Sequence, residues 1–405
     1  MRKKRPHDLA VFGGPSAFDR PIHVGRPHLG SQHAFERRLT DLWNRAWLTN
    51  GGPYVNEFER HLVKYLGVEH VIATCNATAA LQVLARALGL EGEVLLPAFT
   101  FIATAHALEW QQLTPVFCDI DSATHNIDPG DVERKITPRT SAIVGVHLWG
   151  RPAPIEELER IARKHHIRLI FDAAHAFGCT YRRRRIGGFG DAEVFSFHAT
   201  KLLNSFEGGA IATSDGELAD RLRMMRNFGF VDYDRVDGPG MNAKMTEVSA
   251  AMGLTSLESV EEFIARNREQ YYSYQRALAE APGLKLVRFN EREDCNFHYA
   301  VSEIDTPAGL TRDDMHAVLW AENILARRYF FPGCHRQAPY SKAGHQTTLP
   351  RTDALAGRVL CLPSGSSLAD GDVETIVDLM TFTVANAVEI KRLLQASVQI
   401  GRAHV

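Results

Sequence analysis

Short apolar runs alternate with stretches of helical periodicity along the first 260 residues. Each run is too short for a stable helix and is typical of a buried strand. The predicted strands cover residues 71–75, 93–97, 116–119, 142–147, 167–171, 194–197 and 209–213. Helical patterns, for example at 76–90, 155–166 and 216–227, separate several of them. This alternation predicts βαβ units and an α/β fold with a mainly parallel sheet.

The pattern changes beyond residue 260. A long polar helix begins at about residue 262 and is followed by mixed elements. These are predicted strands at 285–287, 296–303 and 326–331, a helix at 311–322 capped by Thr311, and a final helix at about 369–395. We therefore predict an N-terminal arm and helix over 1–55, a large domain over 56–260 and a smaller C-terminal α+β domain over 261–405.

Composition and charge exclude several classes of protein. The chain has 405 residues, 45% hydrophobic side chains and a formal net charge of -2, which favours neither nucleic acid nor a membrane surface as a partner. It has no apolar run of the roughly 18 residues that span a membrane, and its basic start lacks a signal-peptide core, so the cytoplasm is expected. Six cysteines without C-x-x-C pairs predict free thiols, and the histidine spacing predicts no metal site.

Two chemically distinctive residues follow neighbouring predicted strands. Asp172 ends one apolar run, and Lys201 follows the run at 194–197. We expect both side chains at one edge of the sheet, where parallel strands end. An amine that binds an aldehyde and a carboxylate that keeps a ring nitrogen protonated are what pyridoxal phosphate requires. By residue type alone, an ordinary ion pair is the more common explanation.

The helix after the first predicted strand begins with a possible anion site. Asn76 and Thr78 can cap this helix, whose free backbone N–H groups and dipole favour a phosphate. Ser196 and Thr200 offer hydroxyls close to Lys201 in the sequence. A capping role without any ligand explains the local sequence equally well.

The motifs around these residues resemble those of a known family. F-D-A-A-H-A-F-G (171–178) is followed by F-G-D-A-E-V-F-S-F-H-A-T-K (189–201) and E-G-G-A (207–210). In this order they are similar to the DegT/DnrJ/StrS sugar aminotransferases, which are fold-type I pyridoxal-phosphate enzymes with a mainly parallel, seven-stranded type of sheet. The similarity continues in family order through residues 47–59, 76–81, 97–105, 147–154 and 240–251.

The resemblance implies roles in cofactor binding and catalysis. Lys201 would bind pyridoxal phosphate, Asp172 would hold its ring nitrogen, and His175 would position its phenolic oxygen. The other residues implied in cofactor binding are Ala77, Thr78, Phe101, Ser196 and Asn242. The family usually has glycine where Ala77 stands, and a methyl group is tolerated there if the backbone is not left-handed.

Further implications concern the substrate and a second subunit. Tyr329 and His335 lie in a segment that resembles the family's sugar-facing loop, although such residues are commonly structural. Asn242 matches an asparagine that reaches the phosphate of the neighbouring subunit's cofactor. The resemblance therefore implies a homodimer with a shared active site.

The reaction implied by the resemblance is amino transfer to a nucleotide-linked keto sugar. A family variant with histidine in place of the lysine is a dehydratase, whereas Lys201 indicates transamination. The expected acceptor is dTDP-4-keto-6-deoxy-D-glucose, with glutamate as amino donor. The alternatives are a 3-keto sugar, a cyclitol ketone, or a regulator that binds the cofactor without turnover. Retention of both Lys201 and Asp172 counts against the regulator.

Overall fold

A computed structural model describes residues 3–306, 309–342 and 347–403. The strands in these ranges are β1 (Ile22–His23), β2 (His70–Thr74), β3 (Glu93–Pro97), β4 (Thr114–Cys118), β5 (Thr140–Val146), β6 (Arg168–Asp172), β7 (Thr180–Tyr181), β8 (Arg184–Arg185), β9 (Ala192–Ser196), β10 (Gly209–Thr213), β11 (Leu284–Leu286), β12 (Ala300–Ile304), β13 (Ile324–Leu325) and β14 (Val359–Leu362).

The helices in the same ranges connect or cover these strands. They are α1 (Gln32–Arg45), α2 (Pro53–Leu66), α3 (Ala77–Ala87), α4 (Ile102–Glu109), α5 (Pro129–Lys135), α6 (Ile155–His165), α7 (Gly216–Met225), α8 (Glu247–Glu258), α9 (Val260–Ala277), α10 (Arg312–Ala321), α11 (Ala338–Ser341), α12 (Pro350–Ala356), α13 (Asp372–Ala385) and α14 (Ala387–Ala403).

The large sheet has seven strands in the order β2-β10-β9-β6-β5-β3-β4. Neighbouring strands from β9 to β4 run parallel, and β10 is antiparallel to both of its neighbours. This confirms the predicted α/β fold and its mainly parallel sheet. Pro115 is the second residue of β4, which begins two residues before the predicted strand; β4 is at the edge of the sheet, where the missing N–H group is tolerated.

Helices cover both faces of this sheet because successive strand residues point to opposite sides. Leu95 and Phe171 belong to the core beneath α2, α5 and α6. Their neighbours Leu96 and Ile170 belong to the core beneath α3, α4 and α7. The strands of the sheet are therefore buried on both faces, which explains their continuous apolar runs.

A separate core lies in the C-terminal part around the antiparallel sheet β11-β12-β14, α10 and α13. The N-terminal arm joins this core, since Leu9 is buried in it and β1 pairs with β13. Thr311 caps α10 in a reciprocal capping box with Asp314, as the sequence predicts for the cap. We propose that the cores on the two faces of the large sheet mark the first predicted domain, that the C-terminal core marks the second, and that the start of the arm belongs to the second.

Three predicted elements of the C-terminal part are wrong in extent. Residues 296–299 precede β12 as a loop, because the Asn296 side chain bonds to backbone carbonyls of another segment. Residues 326–331 do not form a strand, because only Arg327 makes a bridge, with Cys361, and residues 329–332 form a turn that the left-handed Gly333 (φ 93°) follows. The tail forms α13 and α14 separately, with the break at Asn386.

All six cysteines are free thiols, and five of them are buried. In the described ranges, the helices are too short or too polar to cross a membrane.

Candidate active site

Lys201 and Asp172 meet at the carboxyl edge of the large sheet. Asp172 is the last residue of β6, and it pairs in register with Val194 of the neighbouring strand β9. Lys201 lies in the link between β9 and β10, where its backbone N–H donates to the His198 carbonyl at 2.8 Å. The Asp172 carboxylate is close enough to stabilise the charged form of the lysine. The structure thus brings the two residues together as the strand order requires.

The Asp172 carboxylate is buried and held in one orientation. Its Oδ2 accepts a hydrogen bond from the Thr104 hydroxyl at 2.8 Å, and its Oδ1 accepts from the Ala174 N–H at 3.1 Å. The hydroxyl of Thr104 lies 3.0 Å from that of Thr100. Thr104 belongs to α4, so a helix on one face of the sheet orients an acid at the end of a strand.

The Lys201 amine lies in surroundings that favour its neutral form. Burial lowers the pKa of this amine to about 8, while the charge of Asp172 opposes that shift. Nζ donates to the Tyr299 hydroxyl at 3.5 Å, and burial raises the pKa of that phenol well above its usual value. Tyr299 therefore stays neutral near pH 7, and Lys201 can both give and accept a proton there.

His175 lies in an aromatic wall next to the lysine. Its ring is parallel to those of Trp149 (centroids 5.9 Å apart) and Phe330 (6.0 Å), and tilted against Tyr299 (4.6 Å). Burial, with the charge of Lys201 as a smaller cause, holds the His175 pKa well below its usual range. Nδ1 of His175 accepts a hydrogen bond from the backbone N–H of Trp149 at 3.3 Å, so the neutral ring carries its proton on Nε2. His175 can therefore donate one hydrogen bond from Nε2.

The N-terminus of α3 lies against the end of β10. A Cβ atom at Gly209 would come within 2.6 Å of the Ala77 nitrogen, so only glycine permits this approach. Asn76 caps the helix by accepting from the Ala79 N–H at 2.8 Å. Ala77 and Thr78 form the first turn, where N–H groups have no partner within the helix. The backbone of Ala77 is helical rather than left-handed, so its methyl group is tolerated.

Ser196 and Thr200 lie at the same edge of the sheet as the lysine. Ser196 ends β9 and pairs in register with Gly209 of β10, which places its hydroxyl near the α3 N-terminus. Its Oγ accepts a bond from the His198 N–H at 3.4 Å. The Thr200 hydroxyl lies 2.8 Å from Nδ1 of His198.

A cavity of about 460 Å³ adjoins this site, with Phe101, Tyr329 and Phe330 in its wall. Phe101 stands at the N-cap of α4 and is 55% exposed, so it is not the core residue that its type favours. Tyr329 makes an edge contact with Tyr299 at 6.3 Å between centroids. Tyr329 therefore lies between Tyr299, which bonds to the lysine, and the open cavity, whereas Phe101 stands in the cavity wall against Phe330.

His335 and Asn242 lie apart from these groups. His335 is buried, and its Nε2 is 3.0 Å from Oδ1 of Asp353 in α12, which favours a structural role. It does not contribute to the described lining of the cavity. Asn242 is exposed and forms a bridge with Asn227, and no described hydrogen bond or bridge joins it to Lys201 or Asp172.

Sequence reasoning missed four residues that shape the site, namely Thr104, Trp149, Tyr299 and Phe330. Thr104 and Trp149 fall within segments that resemble the family, so the resemblance could have indicated them. Tyr299 and Phe330 belong to the C-terminal part of the chain and pack in a cluster with Phe99 and Trp149 of the large domain, so only tertiary packing brings them to the site.

The fold and this site define a fold-type I transferase of the pyridoxal-phosphate-dependent class. The model of the DegT/DnrJ/EryC1/StrS aminotransferase family matches residues 31–381, and the chain belongs to that family. This confirms the resemblance seen in the motifs, and the protein is an aminotransferase.

Several proteins are similar to this one over most of its chain. A dTDP-4-amino-4,6-dideoxy-D-glucose transaminase of Shigella dysenteriae is 37% identical and one of Escherichia coli is 35% identical; each match covers 89% of this chain and 98% of the relative. A crystal structure of DesI in the presence of its TDP-sugar product is 48% identical, with a TM-score of 0.93 over 96% of this chain and 100% of that one.

Proposed function

We propose that this protein transfers an amino group from glutamate to carbon 4 of dTDP-4-keto-6-deoxy-D-glucose, with pyridoxal phosphate as cofactor. The observation that carries the proposal is the convergence of Lys201 and Asp172 at one sheet edge, in a chain 48% identical to DesI. The sugar is inferred from the names of the similar proteins, which act on or bind such nucleotide sugars.

The residues of the site fit pyridoxal phosphate. The Lys201 amine with its lowered pKa suits the aldehyde, and the buried, oriented Asp172 carboxylate suits the ring nitrogen. The close approach of α3 to Gly209 leaves the backbone of Ala77 and Thr78 as a cradle for the phosphate, with the Ser196 hydroxyl beside it. Nε2 of His175 and the ring of Phe101 complete the proposed cofactor site.

Bound pyridoxal phosphate would supply an aldehyde that carries the amino group and a ring that accepts an electron pair. Lys201 Nζ would move a proton from the donor's alpha carbon to the aldehyde carbon of the cofactor, and in the opposite direction for the keto sugar, since a pKa of about 8 suits both directions near neutral pH. Asp172 would keep the ring nitrogen protonated through its negative charge. Tyr329 would contact the sugar, and the buried aromatic wall around His175 would exclude water.

A spectroscopic experiment tests the proposal. The purified protein is expected to be yellow, to lose this colour when glutamate is added, and to regain it with dTDP-4-keto-6-deoxy-D-glucose. NMR of the product is expected to show the new amine at carbon 4. An amine at carbon 3, or turnover of a cyclitol ketone alone, would contradict the proposed substrate. A colour that ignores every amino donor would support a regulator instead.

We also propose a homodimer with a shared site. An apolar surface formed by Leu39, Trp43, Trp47, Leu48 and Val248 is exposed in the single chain, with Trp43 at 86%. Exposed apolar side chains of this size are typical of an interface. Asn242, which is exposed and has no described bond to its own lysine, would then reach the site of the second copy. Analytical ultracentrifugation is expected to give twice the chain mass of 45.2 kDa, and a monomer at micromolar concentration would contradict the dimer.

Thr104→Val is expected to lower turnover roughly tenfold, because it removes the hydroxyl that orients Asp172. Steady-state kinetics and urea unfolding should be measured together. The matched control is Thr383→Val, which removes a buried hydroxyl bonded to the Leu379 carbonyl in α13, far from the site. If both variants lose turnover equally, or if Thr104→Val keeps the wild-type rate, Thr104 does not position the acid.

The rate at which pyridoxal phosphate loads onto the apoprotein is expected to rise with pH and to level off above about 8. Only the neutral amine attacks an aldehyde, and the neutral fraction of Lys201 grows as pH passes its lowered pKa. Asp172→Asn removes the charge that opposes this shift, so its plateau should begin at a lower pH. Stopped-flow absorbance measures the rate, and a rate that still climbs at about pH 10 would mean an unshifted lysine.

A further inference from the structure

The peptide group between Thr200 and Lys201 is hydrogen-bonded through both of its polar atoms. The Lys201 N–H donates to the His198 carbonyl at 2.8 Å, which is a bond within the local turn. The Thr200 carbonyl lies 2.9 Å from Nε2 of His298, a residue 98 positions later in the chain. Because a carbonyl oxygen only accepts, Nε2 carries the proton of the neutral His298 ring. The backbone that supports the lysine side chain is therefore held from two directions.

His298 is itself held in place and is only 4% exposed. Its backbone N–H donates to Oδ1 of Asn296 at 3.1 Å, and its carbonyl accepts from the Ser364 hydroxyl at 2.8 Å. Its ring meets the Tyr299 ring edge-on, with centroids 4.7 Å apart. Burial is the main cause that lowers the pKa of His298 to about 3, so the ring is neutral and does not repel the Lys201 amine. The ring is thus an uncharged donor in a fixed position.

The N-terminal arm packs against the same link. Gly25 (φ 75°) approaches so closely that a Cβ atom there would lie 3.1 Å from Cβ of Thr200. The Asn204 side chain donates to the His28 carbonyl at 2.5 Å, and the His28 ring lies 6.0 Å from that of His298 between centroids. Such close contacts leave the link that carries Lys201 little room to move.

Two consecutive residues of the C-terminal part contact opposite ends of Lys201. The His298 ring bonds to the carbonyl that precedes the lysine, and the Tyr299 hydroxyl accepts from Nζ at 3.5 Å. One short segment therefore places both the backbone and the amine. A displacement of about 1 Å in a reacting group can lower a rate roughly 10²-fold, so loss of the backbone bond should affect the reaction.

We propose that His298 is a positioning residue for Lys201, since its ring holds the Thr200 carbonyl and thereby keeps Nζ within reach of the donor's alpha carbon. The inference rests on the proposed function, because it takes the Lys201 amine to move the proton. Among the described hydrogen bonds, the His298 ring reaches only the Thr200 carbonyl, and its Nδ1 has no described partner. Its effect on the reaction therefore passes through Lys201.

Two amide variants that differ in length test the bond. The amide of His298→Gln extends about as far as Nε2 and can still donate to the Thr200 carbonyl, whereas the amide of His298→Asn is one carbon shorter. His298→Asn is expected to lower kcat roughly 10- to 100-fold, with less than about a twofold change in the KM for glutamate. His298→Gln should keep most of the wild-type kcat.

Hydrogen exchange of the Lys201 amide gives a second readout that needs no turnover. It is measured by mass spectrometry on the full chain, before and after pyridoxal phosphate is added. The amide should exchange roughly tenfold faster in His298→Asn than in the wild type, and at about the wild-type rate in His298→Gln.

His125→Asn is the matched control. His125 is also buried, its Nε2 lies 3.3 Å from Oε1 of Glu303, and its Nδ1 has no partner among the described residues. Its backbone is left-handed (φ 63°), a conformation that asparagine tolerates. This variant should have a lower free energy of unfolding in urea but the wild-type kcat and the wild-type exchange rate at Lys201.

A wild-type kcat in His298→Asn, or a wild-type exchange rate at Lys201, would overturn the inference. An equal loss in His298→Gln would overturn it as well, because packing of the ring would then matter instead of its bond. If His298→Asn does not fold, Ser364→Ala replaces it: loss of the hydroxyl on the His298 carbonyl should speed exchange at Lys201 about threefold, and an unchanged rate would overturn the inference. A wild type that does not react with glutamate contradicts the proposed function alone, since the exchange experiment needs no reaction.

Discussion

Lys201→Ala is expected to lower turnover by roughly 10³-fold or more, the largest effect of any single substitution in this chain. The variant loses both the amine that would bind pyridoxal phosphate and the group that would move the proton. Lys201→Arg should be equally inactive, because a guanidinium stays charged at every accessible pH and offers no neutral amine. Steady-state assays with glutamate and the keto-sugar nucleotide measure the loss.

Two measurements separate this chemical role from a structural one. Reduction of the wild type with borohydride, followed by mass spectrometry, should place the cofactor mass on Lys201, and the variants should carry none. Small primary amines in the buffer should restore part of the lost rate to Lys201→Ala but not to Lys201→Arg, whose side chain fills the space. The control is Lys64→Ala on the exposed surface of α2, which should keep full activity. A Lys201→Ala enzyme with near-wild-type turnover would end the proposed mechanism.

Asp172→Asn is expected to lower turnover by about 10²- to 10³-fold. The change keeps the side-chain size but removes a buried negative charge, and loss of one partner from a buried ion pair costs about 3–5 kcal/mol. Here the partner would be the protonated ring of the cofactor. The amide can still accept the Thr104 hydroxyl, so the local fold should persist. Initial rates and the absorbance spectrum of the loaded enzyme measure the effect.

Asp191→Asn provides the comparison for this variant. Asp191 lies at the opposite ends of the same strands, where its carboxylate accepts from the Leu169 N–H at 2.8 Å. The Asp191→Asn variant should have a lower free energy of unfolding in urea without a comparable loss of turnover. Asp172→Glu keeps the charge and should recover part of the rate, which a purely structural acid would not explain. Wild-type kinetics for Asp172→Asn would show that the carboxylate has no role in the reaction.

Much of the large domain could be predicted because its strands have a local signature. Each is buried on both faces, so its residues are continuously apolar, and the helices between them carry one apolar face. All seven predicted strands are present in the sheet; two have the predicted ends, and the ends of the other five are shifted by one or two residues. The convergence of Asp172 and Lys201 followed from strand order alone.

The C-terminal part was predicted less well because its elements depend on distant contacts. β14 was not predicted, although Val359–Leu362 is as apolar as the strands that were, and it exists through its pairing with β12. The aromatic run around Tyr329 has strand-like composition, yet its rings pack against Trp149 and Tyr299 and its backbone turns. Composition alone could not distinguish these two outcomes.

The sequence by itself determined the class of fold, the family and the pair of charged groups on which the proposed chemistry depends. These are encoded in apolar periodicity and in motifs of adjacent residues. Only the tertiary structure decided which groups surround them: Thr104 on Asp172, Tyr299 on Lys201, and Phe330 against His175. Those contacts join segments that are far apart in the chain, and their geometry follows from how the helices pack on the large sheet and how the C-terminal part packs against its edge, rather than from any local pattern.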